Sequence, residues 1–175
     1  MSSRFCALLC ASILFYFATP AAALDARGGR LELDPSRTLV EFELPGLLHN
    51  THGNFMLKRG VVDADPITGA ASGLIVIDAA SGNSGIGARD QRMRESVLES
   101  DKYPEITFSP KHVTGHLEVN GQFQAKLEGL LDLHGNRHEV VPDVRGQSTG
   151  NQLVASSHFS VPYVDWGMQD PSVFP

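Results

Sequence analysis

Seven histidines are the first residues in this chain that could do chemistry. Imidazole is a common ligand for zinc and copper, and His49/His52, His112/His116 and His134/His138 are closely spaced. On a strand, residues three apart point to opposite faces, so His49 and His52 would not converge. His112 and His116 could share a face, but no acidic or sulfur ligand lies at comparable local spacing. His134 and His138 flank a Gly-Asn-Arg turn and read as the tip of a hairpin. No metal site is expected. Gly82-Asn83-Ser84-Gly85-Ile86 misses the Gly-x-Ser-x-Gly nucleophile elbow by its last residue. Gly85-x-Gly87 lacks the third glycine and the βαβ setting of a dinucleotide site. Scattered serine, histidine and aspartate do not make a triad, and Arg89 and Asp90 are expected to pair or cap at a helix start. The chain is expected to perform no catalysis and to hold no cofactor.

The elements that would carry these residues begin after a leader. Arg4 precedes an apolar run from Phe5 to Ala18, and Pro20-Ala21-Ala22-Ala23 supplies small residues at cleavage positions. The run is shorter than the roughly 20 residues needed to span a bilayer. Residues 1–23 are therefore expected to be a cleaved signal peptide and residues 24–175 a single domain. Both cysteines, Cys6 and Cys10, fall in the leader, so the mature chain would have no disulfide and no thiolate. The full chain carries a net charge of −6. Losing Arg4, the leader's one charged residue, makes the mature chain more acidic still. That balance argues against nucleic acid and against a polybasic grip on anionic membranes.

Most of the mature chain reads as strand. Leu31 and Leu33 alternate with Glu32 and Asp34; beyond the Asp34-Pro35-Ser36 kink, Val40, Phe42 and Leu44 alternate with Glu41 and Glu43. A second strand covers Gly53 to Val62 and ends at the turn Asp65-Pro66-Ile67-Thr68-Gly69. Leu74-Ile75-Val76-Ile77 is continuously apolar, as in a strand covered on both faces. Ala88 to Leu98 reads as a short charged helix with Met93 and Val97 on one face, stopped by Tyr103-Pro104 and followed by Ile106-Thr107-Phe108. The cleanest alternation is Phe123, Ala125, Leu127, Gly129, Leu131 and Leu133, repeated by Leu153, Ala155, Ser157, Phe159 and Val161. Many strands, one helix and no βαβ rhythm predict an all-β fold with one short helix: an antiparallel barrel or sandwich.

Several of these stretches resemble one family. The Arg89-Asp90 helix with its Lys102-Tyr103-Pro104 turn and Ile106-x-Phe108 strand is similar to the signature of YceI-like proteins. Leu33-Asp34-Pro35, Gly53-Asn54-Phe55, Gly129 to Gly135 and Asp165-Trp166-Gly167 match other family segments, together spanning about residues 30–174. The resemblance implies a periplasmic, lipocalin-like β-barrel that binds a polyisoprenoid lipid. The ligand implied is a polyprenyl phosphate or isoprenoid quinone, carried or stored between membrane and periplasm. Its expected lining is Val40, Phe42, Phe55, Leu74, Val76, Phe108, Leu127, Leu131 and Phe159, with Met93 and Val97 near one mouth. The alternative is an interaction or metal-handling protein with a solid barrel core. Two features depart from the family: Ser36-Arg37 stands where members often carry His-Ser, and the chain stops at Phe174-Pro175 where another strand is expected. A barrel lacking its last strand would leave an open seam beside Thr38 to Leu44.

Overall fold

The computed structural model describes residues 9–18, 29–45, 50–116, 121–149 and 152–170. Ten strands dominate it: β1 (Leu9–Ala18), β2 (Gly29–Leu33), β3 (Leu39–Leu44), β4 (Thr51–Ala64), β5 (Ala71–Asn83), β6 (Glu105–His116), β7 (Gln122–Leu133), β8 (Asn136–Val140), β9 (Asp143–Thr149) and β10 (Gln152–Val161). Between β5 and β6 lie the helix α1 (Gly87–Arg92) and a π-helical turn, Met93–Val97. The helical segment thus ends before Tyr103-Pro104, and a π turn of this kind is often found at functional sites. No helix among the described residues is long and apolar enough to cross a membrane.

Every ladder is antiparallel, and the pairings run β4-β3-β1-β10-β9-β7-β6-β5 before β5 pairs back to β4. β2 shares one edge of β4 with β3, and β8 shares one edge of β7 with β9. The kink expected at Asp34 separates β2 from β3; the Asp34 carboxylate accepts from the Ser36 amide at 2.9 Å and its hydroxyl at 2.6 Å. Asp65 closes the β4–β5 turn in the same way, accepting from the Ile67 amide at 2.8 Å and the Thr68 hydroxyl at 2.8 Å. Pro110 sits at the irregularity in the β6–β7 ladder, where its missing amide hydrogen is tolerated.

The alternation places one face of each strand inside. Phe123, Ala125, Leu131 and Leu133 of β7 are buried, as are Leu153, Ala155 and Val161 of β10, while their even-numbered neighbours are polar or more exposed. Aromatic rings lie against glycines of neighbouring strands, Phe42 on Gly53 and Phe108 on Gly129. A side chain at either glycine would collide with the ring, so small residues there let large ones fill the curved sheet.

The seam differs from expectation. It lies between β3 and β10, as the sequence implies, but in the full chain β1 fills it. Leu9–Ala18 pairs with all ten residues of β10, from Leu9↔Val161 to Ala18↔Gln152, and with β3 from Cys10↔Glu43 to Leu14↔Leu39. The edge along Thr38 to Leu44 is therefore not left open, because an extended apolar segment from the expected leader satisfies both ladders. The other strands do not close by themselves, since β3 and β10 do not pair with each other. Residues 24–175 produced alone should lose amide protection along β3 and β10 relative to the full chain, about tenfold for each 1.4 kcal/mol of opening free energy. Equal protection in hydrogen exchange of the two forms would show that β3 and β10 zip together directly.

Candidate functional site

The barrel interior is filled at one end and hollow at the other. Leu33, Val62, Ile75, Phe108, Phe123, Leu153 and Ala155 are buried in the core cluster without bordering open space. Beyond them lies a cavity of about 500 Å³. Its walls come from Val40, Phe42 and Leu44 of β3, Phe55 of β4, Ile77 of β5, Ile106 of β6, Leu131 and Leu133 of β7, and Phe159 and Val161 of β10. Met93, Val97 and Leu98 cover it from the helical segment, and Tyr163 and Met168 from the turn after β10. Two inner aromatics meet each other, the Phe42 and Phe55 rings at 5.2 Å between centroids.

Local chemistry fixes the helical cover. Asp90 is buried, and its carboxylate accepts from the Ser84 amide at 2.7 Å and the Ser84 hydroxyl at 2.6 Å. These bonds hold the Asp90 carboxyl below the usual carboxylate range, helped by the charges of Arg94 and Arg89. Asp90 thus ties the start of α1 to the end of β5 through Ser84. Gly82 lies directly beneath Met93 and Phe55, and a Cβ there would fall 2.8 Å from the Phe55 ring. The glycine in this abortive nucleophile motif makes room for the cover. Further along, His134 hydrogen-bonds Glu99 at 2.6 Å and its ring lies 4.7 Å from that of Tyr103, fastening the helix exit to the β7–β8 turn.

Of the residues expected to line an interior, Val40, Phe42, Phe55, Met93, Val97, Leu131 and Phe159 border the cavity together. Phe108 and Leu127 also belong to the interior but not to the open space: Phe108 is buried in the filled end, and Leu127 is partly buried against the same core. The inward facing expected for Leu74 and Val76 is corrected. In the ladder Leu57 pairs with Ile77 and Arg59 with Val76, so Ile75 and Ile77 face inward and their even-numbered neighbours outward. Leu74 is 37% exposed, whereas Val76 is fully buried outside the inner cluster. The continuous apolar run concealed this parity.

Sequence reasoning also missed residues. Leu133 and Val161 were available from the same alternation that pointed to Leu131 and Phe159. Tyr163 and Met168 reach the cavity only through the fold of the final turn. The polar residues of the lining are Arg89 and Arg92 of α1, together with Glu41, Thr51, Ser84 and Asp170. Burial pushes the Tyr163 phenol up to about 12, with Asp170 adding to the rise. The closely spaced histidines do not converge: His134 bonds Glu99 while His138 stacks on Trp166 at 3.7 Å. His49 lies outside the described residues, among which no group of three potential ligands could hold a metal ion.

Two outcomes follow from this division. Phe108→Ala should destabilise the fold by about 3–5 kcal/mol, whereas Phe159→Ala, whose ring already borders open space, should cost about 2 kcal/mol or less in denaturant melts. Equal losses would mean that both ends are packed alike. The folded state also keeps the Tyr163 proton longer than an unfolded phenol with a value near 10. Its contribution is complete below about pH 10 and is lost as pH rises through about 12. Tyr163→Phe should flatten that alkaline limb of the stability profile; an unaltered limb would assign it to other groups.

Comparison with known proteins adds the family. Residues 31–174 match the YceI-like domain. No curated protein matches the chain. Among solved structures, BcnA of Burkholderia cenocepacia is similar with a TM-score of 0.52 and 16% identity, covering 73% of this chain and 98% of BcnA. A YCEI protein of Campylobacter jejuni gives 0.45 and 26% identity over 58% of each chain. A polyisoprenoid binding domain from Saccharophagus degradans gives 0.48 and 15% identity, over 90% of this chain and 98% of that one. The likeness to BcnA is one of fold, and the match across residues 31–174 makes this chain a member of the YceI-like domain family.

Proposed function

We propose that this protein binds the chain of an isoprenoid lipid inside its barrel, as a periplasmic carrier or store, and does no covalent chemistry on it. In this reading residues 1–23 are a signal peptide, and the ligand is a polyprenyl phosphate or an isoprenoid quinone. The cavity carries the reading: about 500 Å³ of space walled largely by aliphatic and aromatic side chains. That volume lies within the usual range of small-ligand sites. Filled at the interior packing density of about 0.74, it takes roughly twenty carbon atoms. Burying a few hundred Å² of such a chain at ~25 cal/mol per Å² gives on the order of 10 kcal/mol before the cost of ordering it. Family membership supports the choice of an isoprenoid over another apolar chain. A solid-cored interaction or metal-handling barrel would have no use for this open volume.

Native mass spectrometry of protein purified from its own periplasm should find a co-purifying isoprenoid at up to one per chain. Met93→Trp, which fills the space under the helical cover, should reduce lipid retention at least about tenfold while leaving a cooperative thermal melt. A wild-type protein that carries no lipid and takes up none from mixed micelles would overturn the proposal.

A further inference from the structure

β3 and β10 run in the same direction, because each pairs antiparallel with β1. Closing them directly would take a parallel ladder, so an antiparallel barrel needs one strand between them. The cavity lies against both sides of that position. Val40, Phe42 and Leu44 border it from β3, and Phe159 and Val161 from β10. In the register Leu9 stands opposite Val161, Ala11 opposite both Phe159 and Phe42, and Ile13 opposite Val40. The first half of β1 is therefore level with the cavity. Its second half stands beside Ala155 and Leu153, at the filled end.

The cavity's two covers are held differently. The helical segment is fastened by side chains, Asp90 to Ser84 and Glu99 to His134, and it buries Val97 and Leu98 in the core. β1 is held by its ladders, with five register pairs on the β3 side. Strand ends fray at a small fraction of the global unfolding free energy. Neighbouring strands lie about 4.8 Å apart, so a vacated position leaves β3 and β10 separated by about 9–10 Å. A single hydrocarbon chain fits between them, since non-bonded carbon atoms pack at about 4 Å.

We infer that residues 9–13 are a gate, and that the lipid tail enters the cavity sideways, through the slot between β3 and β10, when this stretch withdraws. The inference rests on the proposed isoprenoid reading and adds the route by which the tail reaches its site. It also gives the leader a second role. With residues 1–23 in place the slot is shut, and their cleavage opens it and commits the barrel to loading.

Cys10 supplies the test, because it stands opposite Ser160 on β10 and Glu43 on β3. Facing Cα atoms in an antiparallel ladder are about 4.5–5.5 Å apart, within disulfide range. In the full chain carrying Cys6→Ser, adding Ser160→Cys or Glu43→Cys should let an oxidant lock β1 to one flank, as peptide mapping would show. Uptake of geranylgeraniol from mixed micelles should slow at least about tenfold in each locked form, because binding then lacks the conformational step it needs. Reduction should restore the rate of the Cys6→Ser chain, and the final occupancy should be the same throughout. Unslowed uptake in either locked form would overturn the gate alone and place entry at the helical cover. Failure of Cys10 to cross-link in a protein with a cooperative melt would overturn the register on which the gate stands. No uptake by any form, locked or reduced, would overturn the lipid reading and the gate with it.

Discussion

A ring of antiparallel strands about eight positions round encloses slightly more volume than its inward side chains fill. How that surplus is distributed governs everything else in this molecule. At one end Phe108, Phe123 and Leu153 take it up, with glycines opposite the phenylalanine rings. At the other end the inward residues stop short of one another, leaving an apolar cavity. The helical segment spans that end, with Val97 and Leu98 in the core cluster and Met93 packed against it. Asp90 holds the segment to β5, and the His134–Glu99 bond holds its exit to the β7–β8 turn. These polar links fix a cover over a space that hydrophobic contacts would otherwise collapse.

Closure of the wall is a separate problem, because a barrel must satisfy every strand edge. Val40 and Phe42 on β3, and Phe159 and Val161 on β10, border the cavity from strands that do not pair with each other. In the full chain β1 stands between them. The segment that reads as a leader by its apolar run and small-residue end is thus also long and extended enough to complete a ladder. Ten register pairs on one side and five on the other make it part of the barrel's ladder as long as it remains attached.

Much of this was legible in the sequence, and the exceptions have physical causes. β7 and β10 could be read residue by residue because their outer faces are polar, so the apolar set has one possible facing. β5 could not: Leu74 to Ile77 is apolar on both parities, and its facing is decided by a register shift in β4 between Leu57 and Arg59. Phe108 and Leu127 were given the right face and the wrong depth, because the depth of an inward residue depends on the stagger between strands, which no single strand encodes. Arg89 was visible beside Asp90, but its place in the cavity lining follows only from how Ser84 anchors the helix. Tyr163 and Met168 enter through a turn with no periodic signal at all.

The central claim is that the barrel holds its ligand at one end only. Isotope-filtered NMR on a complex with labelled geranylgeraniol tests it most directly, through magnetisation transfer from the bound chain to assigned methyl groups. Contacts should appear to Val40, Leu131, Leu133 and Val161, and be missing at Val62, Ile75 and Leu153. Contacts running the length of the barrel, or contacts only to outer-face methyls such as those of Leu74 and Val154, would contradict a half-hollow interior.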